Sequence, residues 1–318
     1  MKKPDKISID GEAGLPATTH IGLVALTVAN LEREQLFYQE VLGFHLIGKD
    51  ERRAWLGVGE GEDQPVSLSQ PLLLLIEKAG AARPPAWSTG LYHFAILVPS
   101  RPALARSLAQ LVTRRYPLGG YADHLVSEAL YLADPEGNGI EIYRDRPRET
   151  WRWSDGQVAM ATDPIDLQAM FAEGRSELER HPWRGLPAGT TVGHVHLRVA
   201  DLRQAERFYH QLLGFAITAR VPGALFVSAG GYHHHLGLNI WESQGAPAPS
   251  EGSLGLRLFS IELPTQVALE QVAARLERGR WPFERHGEII AVRDPWRHLV
   301  LLMPEGKRRL DQLKTWLH

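Results

Sequence analysis

Glu141 lies in YLADPEGNGIEIY (residues 131–143), which reads as a β-strand, a tight turn and a second strand. Pro135, Asn138 and two glycines supply the turn. Glu141 stands between Ile140 and Ile142, so strand alternation turns it to the opposite face from both. A carboxylate on the inner face of a sheet is costly unless a cation or a donor meets it. His93 and His194 are the groups that could meet it. Two imidazoles and one carboxylate are the set that holds non-haem Fe(II), and the set also accepts Mn(II). Three ligands on one octahedral face leave three positions open, enough for a chelating diol and O2.

The elements that must position these residues come from a repeat. GLVALTVANL (22–31) matches GHVHLRVADL (193–202), and the register continues through Phe37-Tyr38 against Phe208-Tyr209 and LGF (42–44) against LGF (213–215). Each copy reads as an alternating strand, a short turn and a helix. Each domain repeats internally: GLYHFAI (90–96) corresponds to GLRLFSI (255–261), and both units end in an Asp-Pro turn, at Asp134 and Asp294, followed by a last strand. The chain therefore reads as four β-α-β-β-β modules, an α+β fold. The expected divisions are a tail (1–17), a first duplicated domain (18–147), a connector (148–190), a second domain (191–304) and a C-terminal amphipathic helix (305–318) built on Leu310, Leu313 and Leu317. In the connector, Asp163-Pro164 reads as the cap and first residue of a helix carrying Leu167, Met170 and Phe171.

The modules are an internal control. His194 stands where the sibling module has Leu23, His93 where its sibling has Leu258, and Glu141 where its sibling has Leu301. The fold does not demand a polar residue at any of the three positions. A second cluster is HHHLGLN (233–239). Read as strand, it puts His233 and His235 on one face and His234 on the other. A histidine there suits proton transfer near neutral pH.

The totals agree with a globular protein. The 318 residues are 44% apolar and 23% charged, with a formal net charge of -2 and no block of Lys and Arg that would favour nucleic acid. No apolar run reaches membrane-spanning length, and the N-terminus lacks a secretory pattern, which predicts a cytoplasmic protein. Cysteine is absent, so any metal must use the 14 histidines or the carboxylates.

The four modules, DPEGNGIEIY (134–143) and HHHLGLN together resemble the vicinal oxygen chelate superfamily, with its glyoxalase/bleomycin-resistance/dioxygenase-type domains. Within it they look like type I extradiol ring-cleavage dioxygenases, the catechol 2,3-dioxygenases of the bacterial CatE type. The resemblance covers nearly all of residues 18–304. It implies Fe(II) held by His93, His194 and Glu141. It implies an acid–base histidine at His234, with His235 the near rival. It implies that Tyr131, ten residues before the Glu ligand, hydrogen-bonds substrate or oxygen, and that His124 stands behind that tyrosine. The implied reaction is O2-dependent meta cleavage of catechol or a substituted catechol to a 2-hydroxymuconic semialdehyde-type product. The implied partners are a small aromatic diol and O2.

One departure bears on architecture. Better-known extradiol enzymes carry their ligands on the third and fourth modules, whereas here they fall on the second and third. Either modules two and three pair around the metal within one chain, or a homo-oligomer completes the site across a subunit interface. Two rival activities use the same fold. A glyoxalase I-like lyase would take a second carboxylate from the module of His194, where no Asp or Glu occurs between His233 and Trp241 and Glu242 is the first. A metal-free module that sequesters an aromatic ligand would leave the three Leu-to-ligand differences unexplained.

Overall fold

The computed structural model describes residues 14–59 and 70–308, together with Leu313 and Trp316. Most of the tail expected before residue 18, and most of the helix expected over 305–318 with its Leu310 and Leu317, lie outside the described residues. The first module contains β1 (His20–Val28), α1 (Leu31–Leu36), β2 (His45–Lys49), β3 (Arg53–Gly57) and β4 (Leu73–Glu77). The second contains β5 (Gly90–Leu97), α2 (Arg101–Thr113), β6 (Gly120–Asp123), β7 (Ser127–Ala133) and β8 (Gly139–Asp145). The connector holds the short pair β9 (Trp153–Ser154) and β10 (Gln157–Val158), then α3 (Leu167–Arg180). The third module contains β11 (Thr191–Arg198), α4 (Leu202–Ala205), β12 (Ala216–Val221), β13 (Ala224–Ser228) and β14 (Leu236–Asn239). The fourth contains β15 (Gly255–Leu263), α5 (Gln266–Arg278), β16 (Phe283–His286), β17 (Ile289–Arg293) and β18 (Leu299–Pro304).

Every module passes from strand to helix through the same device. Asn30, Ser100, Asp201 and Thr265 each accept a hydrogen bond from the backbone N–H three residues on, satisfying a donor the helix start leaves open. In modules one and three the helix widens into a π-helical stretch, Phe37–Leu42 and Glu206–Leu212. Gly43 and Gly214 follow these stretches at φ of 87° and 97°, a backbone only glycine adopts cheaply.

Pairing runs across the sequence duplicates. One eight-stranded sheet has the order β12-β13-β14-β11-β5-β8-β7-β6, and the other β16-β17-β18-β15-β1-β4-β3-β2. Modules two and three thus share a sheet through antiparallel β5 and β11, and modules one and four share the second through β1 and β15. All three candidate ligands fall in the first sheet, within one chain. Two tyrosine braces join the sheets: Tyr38 donates to Asp134 at 2.9 Å, and Tyr209 donates to Asp294 at 2.9 Å. Each aspartate also accepts two backbone N–H groups of its own turn, which fixes the hairpin.

The equivalent of the ligand cluster in the second sheet is apolar. Leu23, Leu258 and Leu301 are fully buried there in one cluster that also takes in Met303, Leu313 and Trp316. The connector packs against the first sheet. Trp151 is buried with Val126, Val158 and Tyr232.

Two local expectations are corrected. The helix cap in the connector is Asp166, which accepts from Ala169 N at 2.9 Å, while Asp163 forms a bridge with Asp123. The Asx side chain adjacent to the helix wins over the Asp-Pro pair because the chain first has to pair with the end of β6. The histidine run is not strand either: β14 begins at Leu236, so alternation does not apply to residues 233–235. Among the described residues no helix is long and apolar enough to cross a membrane.

Candidate metal centre

Strand register builds the centre around a small residue. His194 on β11 is the lateral partner of Ala95 on β5, and Ala95 is the lateral partner of Glu141 on β8. Strands lie about 4.8 Å apart, so His194 and Glu141 start roughly 10 Å apart with only a methyl group between them. Their side chains lean over it and meet. His93, two residues before Ala95, shares that face. The result is a triangle of donor atoms: His93 Nε2 to Glu141 Oε2 is 3.0 Å, His194 Nε2 to Glu141 Oε2 is 3.1 Å, and the two Nε2 atoms are 3.3 Å apart. His93, Glu141 and His194 are exposed by only 6%, 3% and 1%.

Electrostatics favour a cation at this point. Burial pushes Glu141 up, but His194 and His93 outweigh it and hold the carboxyl well below its ordinary range. Burial drives His194 down to about 4 against the pull of Glu141. The centre therefore holds a carboxylate beside neutral imidazole. Hydrogens cannot satisfy all three edges of such a triangle, since each Nε2 carries at most one hydrogen. A divalent ion can. Metal–ligand bonds of about 2.1 Å give an octahedral face an edge of about 3.0 Å, close to the triangle observed. Among the described residues this is the group of histidine and acidic side chains suited to a metal, and it contains one carboxylate.

A cavity of about 730 Å³ opens onto the centre, lined by His93, Glu141, His124, Tyr131 and His234 among others. Tyr131 is the lateral partner of Glu141 on β7. Its hydroxyl lies 2.6 Å from His124 Nε2, and His124 Nδ1 lies 2.6 Å from the carbonyl oxygen of Ala161. A carbonyl only accepts, so His124 carries its proton on Nδ1 and Tyr131 donates to Nε2. Burial and the nearby Glu141 keep the phenol well above its usual range, hence protonated.

His234 stands with its ring centroid 4.2 Å from that of His194, and burial holds it well below the usual imidazole range. His235 does not line the cavity: its Nδ1 accepts from Ala229 N at 3.1 Å, and burial drives it down to about 3. Phe226 and Trp241 line the cavity, while Tyr232 lies beneath it. Glu242 is exposed, 3.7 Å from Arg198 and apart from the donor triangle.

His196 was not singled out from the sequence, yet it lines the cavity opposite His93, its Nε2 3.0 Å from Asn239 Nδ2. Its signal was there, since His196 is two residues beyond His194 on one strand and so shares its face. Gly193 was also missed. A Cβ there would sit 1.8 Å from the Tyr143 hydroxyl, so the glycine admits that side chain beside His194.

The family model described as Glyoxalase/Bleomycin resistance protein/Dioxygenase superfamily matches residues 20–142 and 191–302. A catechol-2,3-dioxygenase of Bacillus subtilis (strain 168) is 43% identical over 281 residues, covering 87% of this chain and 94% of that protein. A crystal structure provisionally assigned as a dioxygenase from Bacillus subtilis subsp. subtilis str. 168 superposes with a TM-score of 0.60 at 14% identity, covering 96% of this chain and 91% of that one. Glyoxalase I from Zea mays superposes with a TM-score of 0.54 at 17% identity, covering 95% and 96%. These two structures speak for the fold alone.

Proposed function

Because the chain belongs to the glyoxalase/bleomycin resistance/dioxygenase superfamily, we propose that it is an extradiol dioxygenase, cleaving the ring of catechol or a substituted catechol with O2 to a 2-hydroxymuconic semialdehyde-type product. The observation that carries this reading is the buried His93–Glu141–His194 triangle facing a cavity that also holds Tyr131 and His234. The likeness to the Bacillus catechol-2,3-dioxygenase supports the substrate class.

His93 Nε2, His194 Nε2 and Glu141 Oε2 would hold Fe(II), with Mn(II) as the other ion the set accepts. When bound, the ion supplies positive charge and one-electron chemistry that O2 needs to react with a closed-shell diol. The chain does the rest. The cavity walls take the aromatic ring and keep bulk water from the reacting carbons. His234, neutral because it is buried, accepts a hydroxyl proton from the diol and returns it as the ring opens. Tyr131, oriented by His124, places its hydroxyl oxygen beside the carboxylate ligand, and its one proton turns from His124 Nε2 to the oxygens that gain charge. The single carboxylate in the triangle argues against a glyoxalase I-like lyase, which takes two.

The test is oxygen consumption on addition of catechol to protein loaded anaerobically with Fe(II), with the yellow ring-opened product followed by absorbance. Stoichiometric oxygen uptake with product is expected. Protein that holds iron at one ion per chain and consumes no oxygen with any catechol tried would overturn the reading.

A further inference from the structure

Behind His234 runs a chain of contacts that the proposed chemistry leaves unused. His234 Nδ1 lies 2.8 Å from His233 Nδ1, and His233 Nε2 lies 3.0 Å from Asp145 Oδ1. The same Asp145 oxygen accepts the Tyr232 hydroxyl at 3.1 Å, and Tyr232 and Tyr143 hydroxyls are 2.6 Å apart. Asp145 is a quarter exposed at the end of β8, while the His233 side chain is 1% exposed. His234 Nε2 has no hydrogen-bond partner among the described residues, and the ring lines the cavity.

The donors and acceptors in this chain can be assigned in order. An ionised carboxylate only accepts, so His233 must carry its proton on Nε2. When the His233 ring carries that one proton, its Nδ1 is bare. Two bare nitrogens at 2.8 Å would repel, so His234 must carry its own proton on Nδ1 and donate. That leaves a lone pair on His234 Nε2. The tautomer of one histidine is thus set, through its neighbour, by a carboxylate at the end of β8.

We propose that Asp145 and His233 are positioning residues that fix His234 in its Nδ1–H tautomer and so aim a basic Nε2 into the cavity. The proposal deepens the dioxygenase reading and rests on it for the proton's source. The diol O–H bond breaks, its proton bonds to His234 Nε2, and the diol oxygen keeps the electron pair. The charge gained by His234 is shared through Nδ1–H to His233 and is balanced by the Asp145 carboxylate. Without Asp145, His233 is free to place its proton on Nδ1. His234 then has to shift its own proton to Nε2, where it blocks the base.

The decisive measurement is the pair of tautomers, read from long-range 1H–15N correlation spectra. The sample is the full-length chain labelled with 15N-histidine, metal-free and loaded with diamagnetic Zn(II). His234 is expected as Nδ1–H and His233 as Nε2–H. Asp145→Ala should mix both tautomers, and it should lower kcat of the iron-loaded enzyme about 100-fold with KM within about twofold. His233→Phe should do the same, and His233→Gln, whose side-chain oxygen can still accept from His234 Nδ1, should restore most of the rate. If His233→Phe fails to fold, Asp145→Ala at its partly exposed position carries the test. A wild-type His234 found as Nε2–H, or tautomers unchanged in Asp145→Ala, would overturn the proposal. A wild-type enzyme without ring cleavage refutes the dioxygenase reading instead, and the spectra still report the tautomers.

Discussion

Glu141 and His194 sit two strands apart, on β8 and β11, and touch at 3.1 Å over the side chain of Ala95. The contact exists because the residue between them ends at its Cβ. Ala95→Leu should fill that gap with apolar volume, much as leucines fill the matching place in the other sheet. We expect the variant to fold, with metal affinity lower by about 100-fold or more. Metal analysis after dialysis and calorimetric titration with Mn(II) check this. Full metal occupancy in Ala95→Leu would show that the ligands do not meet over this residue.

The sibling cluster suggests the reverse experiment. Replacing His93, Glu141 and His194 together by Leu copies Leu258, Leu301 and Leu23. Removing a buried charged cluster in favour of packed apolar residues often stabilises a fold by about 1–4 kcal/mol. The metal-free triple variant should therefore resist urea better than the metal-free wild type. It should show no rise in melting temperature with added Mn(II), whereas the wild type should. A triple variant less stable than metal-free wild type contradicts this balance.

Tyr131→Phe removes the hydroxyl that His124 orients and keeps the ring beside His93. Losing one hydrogen bond should cost about 1 kcal/mol of stability. Losing the group that meets developing charge should cost about 100-fold in kcat with little change in KM. Stopped-flow rates and urea unfolding separate the two effects. Equal rates for Tyr131→Phe and wild type would remove Tyr131 from the chemistry.

Glu34 predicts a pH dependence that does not involve the three residues of the metal centre. Burial, then the nearby Asp134 and Glu136, push its carboxyl from an ordinary 4.5 to about 8, against the opposing charge of Arg33. The folded chain therefore binds this proton more tightly than the unfolded chain. Stability is highest below about pH 4.5 on this account and falls as pH rises toward 8. The slope is at most about 1.4 kcal/mol per pH unit. Glu34→Gln should flatten it and be the more stable form at pH 8. Urea midpoints at pH 5, 6.5 and 8 test this, and parallel pH profiles for the two proteins would refute it.

The donor set was legible because the chain carries its own controls. A leucine at each sibling position marked His93, Glu141 and His194 as residues the fold did not require. Their pairing was not legible, since β5 and β11 meet through backbone hydrogen bonds that any strand sequence can make. Ala95 was silent for another reason: a small residue records what its neighbours need and has no chemistry of its own. The histidine run misled because alternation does not govern the bend before β14, and the contacts His234–His233–Asp145 arise only once that bend meets the end of β8. Tyr131 and His124 were named through the family resemblance alone, and the hydrogen bonds to Ala161 and Tyr131 add a proton assignment that no motif contains.

The two sheets are nested like brackets. Thr191 of β11 pairs with Leu97 of β5, while His20 of β1 waits for Glu262 of β15. During synthesis the inner sheet has all its strands before the fourth module exists. The first module, made earliest, keeps the open edge of β1 until the last module leaves the ribosome. An unpaired strand edge is a template for other chains. Closing the long outer loop costs little once the inner sheet has drawn its ends together, because loop entropy grows only slowly with length. The order of synthesis and the order of closure therefore run in opposite directions for module one, and translation that stalls after β14 leaves a nascent chain with a complete inner sheet and a sticky N-terminal edge.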